Sequence, residues 1–162
     1  MTHKELVEIG KRWLWKKCDI VVTELTTWVS ETPDVIGWKS NCSTIIECKT
    51  NRQDFLRDRK KFVRRMPKYG VGIFRYYLMP EGIINSAHEI PEKWGLLVLD
   101  RQGKIKIIIK PSPFITILTK EMTILVSCIR RIGQNPPKNM NVRAYKYKTK
   151  CQASIGVKEE VK

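Results

Sequence analysis

A chain of 162 residues with a 42% hydrophobic fraction has the size of one domain and can bury a real core. Its 31 Lys and Arg against 16 Asp and Glu leave a formal charge of +15, a field that favours polyanions, nucleic acid before an anionic membrane surface. MTHKELVEIG has no apolar signal segment, no apolar run reaches membrane-spanning length, and the five cysteines are scattered without a CxxC pair; a secretory leader, a disulfide framework and a structural zinc site are all disfavoured, and a cytoplasmic setting is expected.

Along the chain, residues 3–17 predict a helix, with Leu6, Ile9, Trp13 and Leu14 on one face and basic residues around the rest. Residues 20–28 are β-branched and partly alternating, as a strand requires. A break at 30–33 leads to a short strand at 34–38, a polar turn at 39–42 and a returning strand at 44–49. A second helix is predicted over 52–68: Thr50 and Gln53 fit a capping box, Phe55, Leu56, Phe62, Val63 and Met66 form its apolar face, and Pro67 stops it. Residues 71–79 read as a strand closed by Pro80-Glu81-Gly82, and 96–100 with 104–109 as a hairpin about a Gly turn. Ser112 and Pro113 suit the start of a last helix ending at Gly133, with a start several residues later as the alternative. The domain is thus drawn over 1–133 and a basic, partly disordered tail over 134–162. The element order implies an α/β fold, a mixed central sheet flanked by helices. No internal repeat is present.

The chemistry concentrates in Pro33-Asp34, followed twelve residues later by Glu47-Cys48-Lys49. Side chains alternate along a strand, so Glu47 and Lys49 share a face while Cys48 points away. A turn centred between Ser40 and Asn41 sets Asp34 opposite Glu47, with Cβ atoms about 4.5–5.5 Å apart. Two carboxylates that close repel unless a cation lies between them, and Mg²⁺ takes one or two carboxylates plus waters and a phosphate. These are the parts of metal-assisted phosphodiester hydrolysis: Asp34 and Glu47 toward Mg²⁺ or Mn²⁺, Lys49 toward the water or the phosphate. The plain alternative is a turn-capping Asp34 and a solvated Glu47–Lys49 face. Against it stands the context. Thr44-Ile45-Ile46 is core-like, and the next helix carries Arg52, Arg57, Lys60, Lys61, Arg64 and Arg65 as candidate contacts to DNA phosphates.

Over roughly residues 1–110 the chain resembles the PD-(D/E)xK nuclease superfamily, and within it MmcB-type DNA-repair proteins. The stretches that carry the likeness are TEL before PD, IIECKTNRQDFLRDRKKF after it, then RYYLMPEG and WGLLVLD. The resemblance implies a restriction-endonuclease-like core and a Mg²⁺- or Mn²⁺-dependent deoxyribonuclease. It makes Glu24 an auxiliary acidic residue beside Asp34 and the Cys48 carbonyl a further metal ligand. A first-helix glutamate contributes in many members, and Glu5 and Glu8 both qualify. The chain departs from the MmcB pattern in having SETPD where those proteins show an Arg-rich RAD.

Other features read more plainly. His3 and His88 are isolated and expected at the surface. Trp13, Trp28 and Trp94 fall where core packing is the default, whereas Trp38, beside Asp34, is the tryptophan to test for base stacking. Tyr145 and Tyr147 among the tail lysines suit either single-strand stacking or a solubilising end. The expected function is metal-dependent DNA hydrolysis, with RNA and a homodimer left open and no membrane partner. A non-cleaving nucleic-acid-binding or partner-blocking protein of the same fold is the alternative.

Overall fold

The computed structural model describes residues 1–29, 31–134 and 140–142. Helix α1 (His3–Trp15) starts at a reciprocal cap: the Thr2 hydroxyl accepts the Glu5 N–H, and the Glu5 carboxylate accepts the Thr2 N–H. Its buried face is Leu6, Val7, Gly10 and Leu14. Strands β1 (Ile20–Thr23), β2 (Val35–Lys39) and β3 (Cys42–Cys48) form an antiparallel meander. Two short helices, α2 (Arg52–Asp58) and α3 (Phe62–Arg65), then carry the chain to β4 (Phe74–Pro80), which lies parallel to β3. Parallel neighbours need such a crossover. Strand β5 (Gly95–Leu99) is parallel to β4, and β6 (Ile105–Ile109) closes a hairpin with β5. Helix α4 (Leu118–Gln134) precedes a short edge strand, β7 (Met140–Val142), paired with β1. The sheet order is β6-β5-β4-β3-β2-β1-β7, a mixed sheet flanked by helices.

The period-2 alternation of the strands divides the core in two. On one face Val21, Val35, Ile46, Cys48, Leu78 and Leu97 pack against α1. The other face carries Ile36, Ile45, Tyr77 and Leu96 against Phe55, Trp94, Ile124 and Cys128. The Tyr77 ring stacks on Trp94 at 4.5 Å and meets Phe55 edge-on at 5.1 Å. Gly37 lets α1 lie close on β2, since a Cβ there would stand 2.9 Å from Leu14 Cδ2. Among the described residues no helix is long and apolar enough to cross a membrane.

Several sequence expectations are corrected. The strand predicted over 20–28 ends at Thr23, because Glu24 turns the chain with φ 47°, and Trp28 is 85% exposed rather than packed. The helix predicted over 52–68 is broken: Asn51, not Thr50, caps α2 by accepting the Asp54 N–H, and Lys61 is extended at φ −59°, ψ 145°. Positions six apart point away from each other on an unbroken helix; the break folds Arg64 back onto Asp58, which it meets at 2.8 Å. Leu56, Phe62 and Met66, expected on the apolar face, are consequently exposed. The last helix begins at Leu118 because the Ser112 and Phe114 N–H groups are spent on the Lys93 and Ile73 carbonyls. Met140–Val142 adds a strand inside the region read as a tail; Tyr145 and Tyr147 lie outside the described residues.

Candidate active site

The β2–β3 register pairs Val35 with Ile46 and Lys39 with Cys42, the register expected from a turn between Ser40 and Asn41. One step beyond Val35, Asp34 stands at the end of the sheet across from Glu47. Its Oδ2 accepts the Cys48 N–H at 2.7 Å, and its backbone carbonyl accepts the Glu24 N–H at 3.1 Å. The Asp34 carboxylate is thereby fixed on β3, and the loop after β1 is fixed on Asp34.

Glu47 and Lys49 share a face, as strand alternation requires, and both are buried. Lys49 Nζ lies 3.1 Å from Glu47 Oε2 and 3.3 Å from Asp58 Oδ1. Arg64 Nη2 lies 3.0 Å from Glu47 Oε1, its Nε donates to Asp58 Oδ2, and its Nη1 pairs with Glu31. The Tyr77 hydroxyl also donates to Asp58, at 2.8 Å, and Lys61 approaches Asp58 from the rim at 2.7 Å. Three buried carboxylates are thus held by two buried cations, an arrangement that is costly to break from either side. Burial pushes the Glu47 carboxyl up to about 7, opposed by Arg64 and Lys49 and reinforced by Asp34. Burial acts against the Lys49 ammonium, yet Glu47, Asp58 and Asp34 outweigh it and hold the group above its ordinary value. Asp58 goes the other way. Burial raises it, but Arg64 and Lys49 bring it well below the usual carboxylate range.

These contacts bear on metal binding. Both Glu47 oxygens are already paired, so an ion shared by Asp34 and Glu47 does not fit the arrangement unless the Arg64 contact opens. Cys48 turns its side chain into the α1 core. At the mouth the donor set is different. Asp34 Oδ1 lies 3.5 Å from His3 Nε2, and the same nitrogen lies 3.8 Å from Glu24 Oε1. His3, expected to be an isolated surface residue, is therefore the first-helix side chain that reaches the site. Glu5 is engaged in the helix cap and Glu8 in a pair with Lys11 at 2.6 Å. Among the described residues no group of three or more His, Cys, Asp or Glu side chains is placed so that it could hold a metal ion. The mouth set suits a cation chemically, with two carboxylates and an imidazole, and its spread is the obstacle. Beside it, a cleft of about 870 Å³ runs between α1 and the ends of β4 and β5, with Glu24, Lys4, Lys11 and Arg101 on its walls.

The basic candidates separate. Arg57, Lys60, Lys61 and Arg65 are exposed on α2, α3 and their junction. Arg52 is bound by both nitrogens to Glu89, at 3.1 and 2.7 Å. Arg64, expected to meet phosphate, is instead 7% exposed and committed to the carboxylates. Trp38 is buried and donates its indole N–H to Glu121 at 3.2 Å, which removes it as a base-stacking surface. His3 had a signal in the sequence: Thr2-x-x-Glu5 is a capping box, and it sets His3 at the first helical position. Arg64 had none, because its burial depends on the break at Lys61.

No protein-family model matches the chain, and no curated protein matches it. A solved structure that does match is the SPO1766 protein of unknown function from Silicibacter pomeroyi, with 18% identity and a TM-score of 0.59 over 84% of this chain and 94% of that one. At that identity the likeness supports the α/β fold alone.

Proposed function

We propose that this protein is a metal-dependent nuclease acting on DNA, in the cytoplasm. The observation that carries the reading is the meeting of Asp34, Glu47 and Lys49 at one end of the β2–β3 hairpin, with exposed Arg57, Lys60, Lys61 and Arg65 on the adjoining segment. Asp34 and Glu24 would hold the divalent cation at the mouth, with Glu47 joining them only if it parts from Arg64. A bound cation supplies a polarised phosphoryl oxygen and a water of lowered pKa. Lys49, kept charged by its carboxylates, counters the charge that grows on the phosphate. The exposed basic residues hold the backbone in register through phosphate contacts.

Plasmid, linear duplex and single-stranded DNA, and RNA, incubated with Mg²⁺, Mn²⁺ or EDTA test the reading. Metal-dependent cleavage should fall by about 10²–10³ in Lys49→Ala, the usual effect of deleting one group that stabilises developing charge. Asp34→Asn, at a half-buried position, should abolish it without unfolding the protein. Absence of metal-dependent cleavage on every substrate would refute the enzyme. The pairing of both Glu47 oxygens favours a second reading, a nucleic-acid-binding protein that keeps the fold without cutting. Salt-dependent binding without cleavage is its signature.

A further inference from the structure

We propose that the outer face of α4 is a homodimer interface, packed antiparallel against the same helix of a second copy of this chain. Leu118, Met122, Val126 and Ile129 recur at helical spacing on one side of α4 and are 67%, 59%, 55% and 68% exposed. The other side buries Glu121, Ile124 and Cys128 in the body of the protein. Trp28, also exposed, widens the stripe: it shares a hollow of about 350 Å³ with Met122 and Val126. Its loop is tied to the helix, since Arg131 donates to the Thr26 carbonyl at 2.7 Å. Taken at roughly 100–200 Å² apiece, these five side chains present on the order of 600 Å², the top of the range for a monomer's largest apolar patch and most of the about 800 Å² per partner that a standard interface buries.

The chemistry of this face selects a second copy as its occupant. The two charged residues between Leu118 and Ile129 are both spent on the protein itself. Lys120 donates to the Tyr69 carbonyl, and Glu121 accepts from Trp38, Ser43 and Gly72. In a chain of +15 the exposed stripe therefore carries no charge, with Arg130 as the cation beside the hollow. A phosphate backbone or an acidic partner finds little to pair with, and the lysine-rich flank that holds a helix on an anionic membrane is missing from the stripe. The same uncharged stripe on another copy matches it in chemistry, and its spacing matches it in position. Antiparallel alignment about the middle of the stripe sets Leu118 of one copy opposite Ile129 of the other, and Met122 opposite Val126. A two-fold axis then repeats both contacts over about 17 Å of helix. Two bodies of like charge repel, so added salt should tighten this dimer, the reverse of its effect on DNA binding.

The test is sedimentation equilibrium of the full chain without nucleic acid, carried to about 100 μM so that the weak end of interfaces this size is reached. Wild type should reach twice the 19.0 kDa of one chain. Met122→Glu and Val126→Lys each strand a charge in the stripe, and each should raise the dissociation constant at least about 100-fold. Both positions are exposed in the single chain, so thermal unfolding by circular dichroism should match wild type measured as a monomer. An equimolar mixture of the two variants should restore the dimer, because the introduced acid of one faces the introduced base of the other in the antiparallel register. Wild type at single-chain mass throughout overturns the proposal, as does a dimer that survives both substitutions or a mixture that stays monomeric. Binding of wild type to anionic vesicles that Met122→Glu abolishes, with no dimer at any concentration, overturns it in favour of a membrane surface.

Discussion

Arg64 and Asp58 lock the interior of the site, and each is worth more as a partner than as a charge. Asp58 receives the Arg64 guanidinium, the Tyr77 hydroxyl, the Lys49 ammonium and the Lys61 ammonium while itself 1% exposed. Asp58→Asn keeps the shape but leaves two buried cations short of a counter-charge, so urea denaturation should show a loss of about 3–5 kcal/mol, the usual result of breaking a buried pair from one side. The pH dependence follows from the lowered Asp58 carboxyl. A group whose pKa is depressed by folding adds stability above its unfolded value, near 4, and that stability is lost as pH falls through the folded value. Wild type should therefore weaken progressively in acid below about pH 4, and Asp58→Asn should show a flatter acid limb in the same titration. Lys60 and Arg65, exposed nearby, should each change stability by less than about 0.5 kcal/mol when replaced by Gln.

At the scale of elements, α2 shows how far one sequence reading extends. Its start is local: the Asn51 side chain accepts the Asp54 N–H at 2.8 Å, and Asn51→Ala should cost about 1 kcal/mol in thermal or urea unfolding, with Asn51→Ser nearly silent. Its end is not local. Apolar residues keep a helical period from Phe55 through Met66, and periodicity cannot register that Asp58 and Arg64 must face each other six positions apart. The strand ends of the β2–β3 hairpin were not legible: Lys39 and Cys42, read as turn, pair as strand, and Asp34 and Lys49, read as strand, lie just beyond it. Its register and faces were, because alternation fixes the faces and the polar turn fixes the register. The Asp34–Glu47 juxtaposition and the shared face of Glu47 and Lys49 follow from those two facts. The commitment of Glu47 to Arg64 does not, since it requires the crossover that packs α3 over β3. The start of α4 is set in a similar way. The Ser112-Pro113 pair is a good local cap, but tertiary partners for the Ser112 and Phe114 N–H groups keep that stretch extended, and the helix takes the later start, Leu118, that the sequence left open.

For the whole molecule the question is whether +15 acts as a field or as a surface. Net charge steers any polyanion from a distance, and salt screens it within about 10 Å at 0.1 M. Contacts to phosphate release counterions, and each contributes about 0.9 to the slope of log affinity against log salt on duplex DNA. The fold separates the two possibilities. The C-terminal end of β3 and the N-terminal ends of α1 and β2 gather at the candidate site, so Lys16, Lys39 and Lys110, all exposed, stand toward the other ends of α1, β2 and β6. Arg57, Lys60 and Arg65 stand on the segment that follows Lys49. Two triple Gln variants, one from each set, lower the net charge equally. If DNA is held at the site, Arg57/Lys60/Arg65 should reduce the salt slope by about 2 to 3, while Lys16/Lys39/Lys110 leaves it within about 1 of wild type. Equal reductions would mean that the excess charge acts only as a diffuse field, and the basic segment beside Lys49 would lose its role as a docking surface.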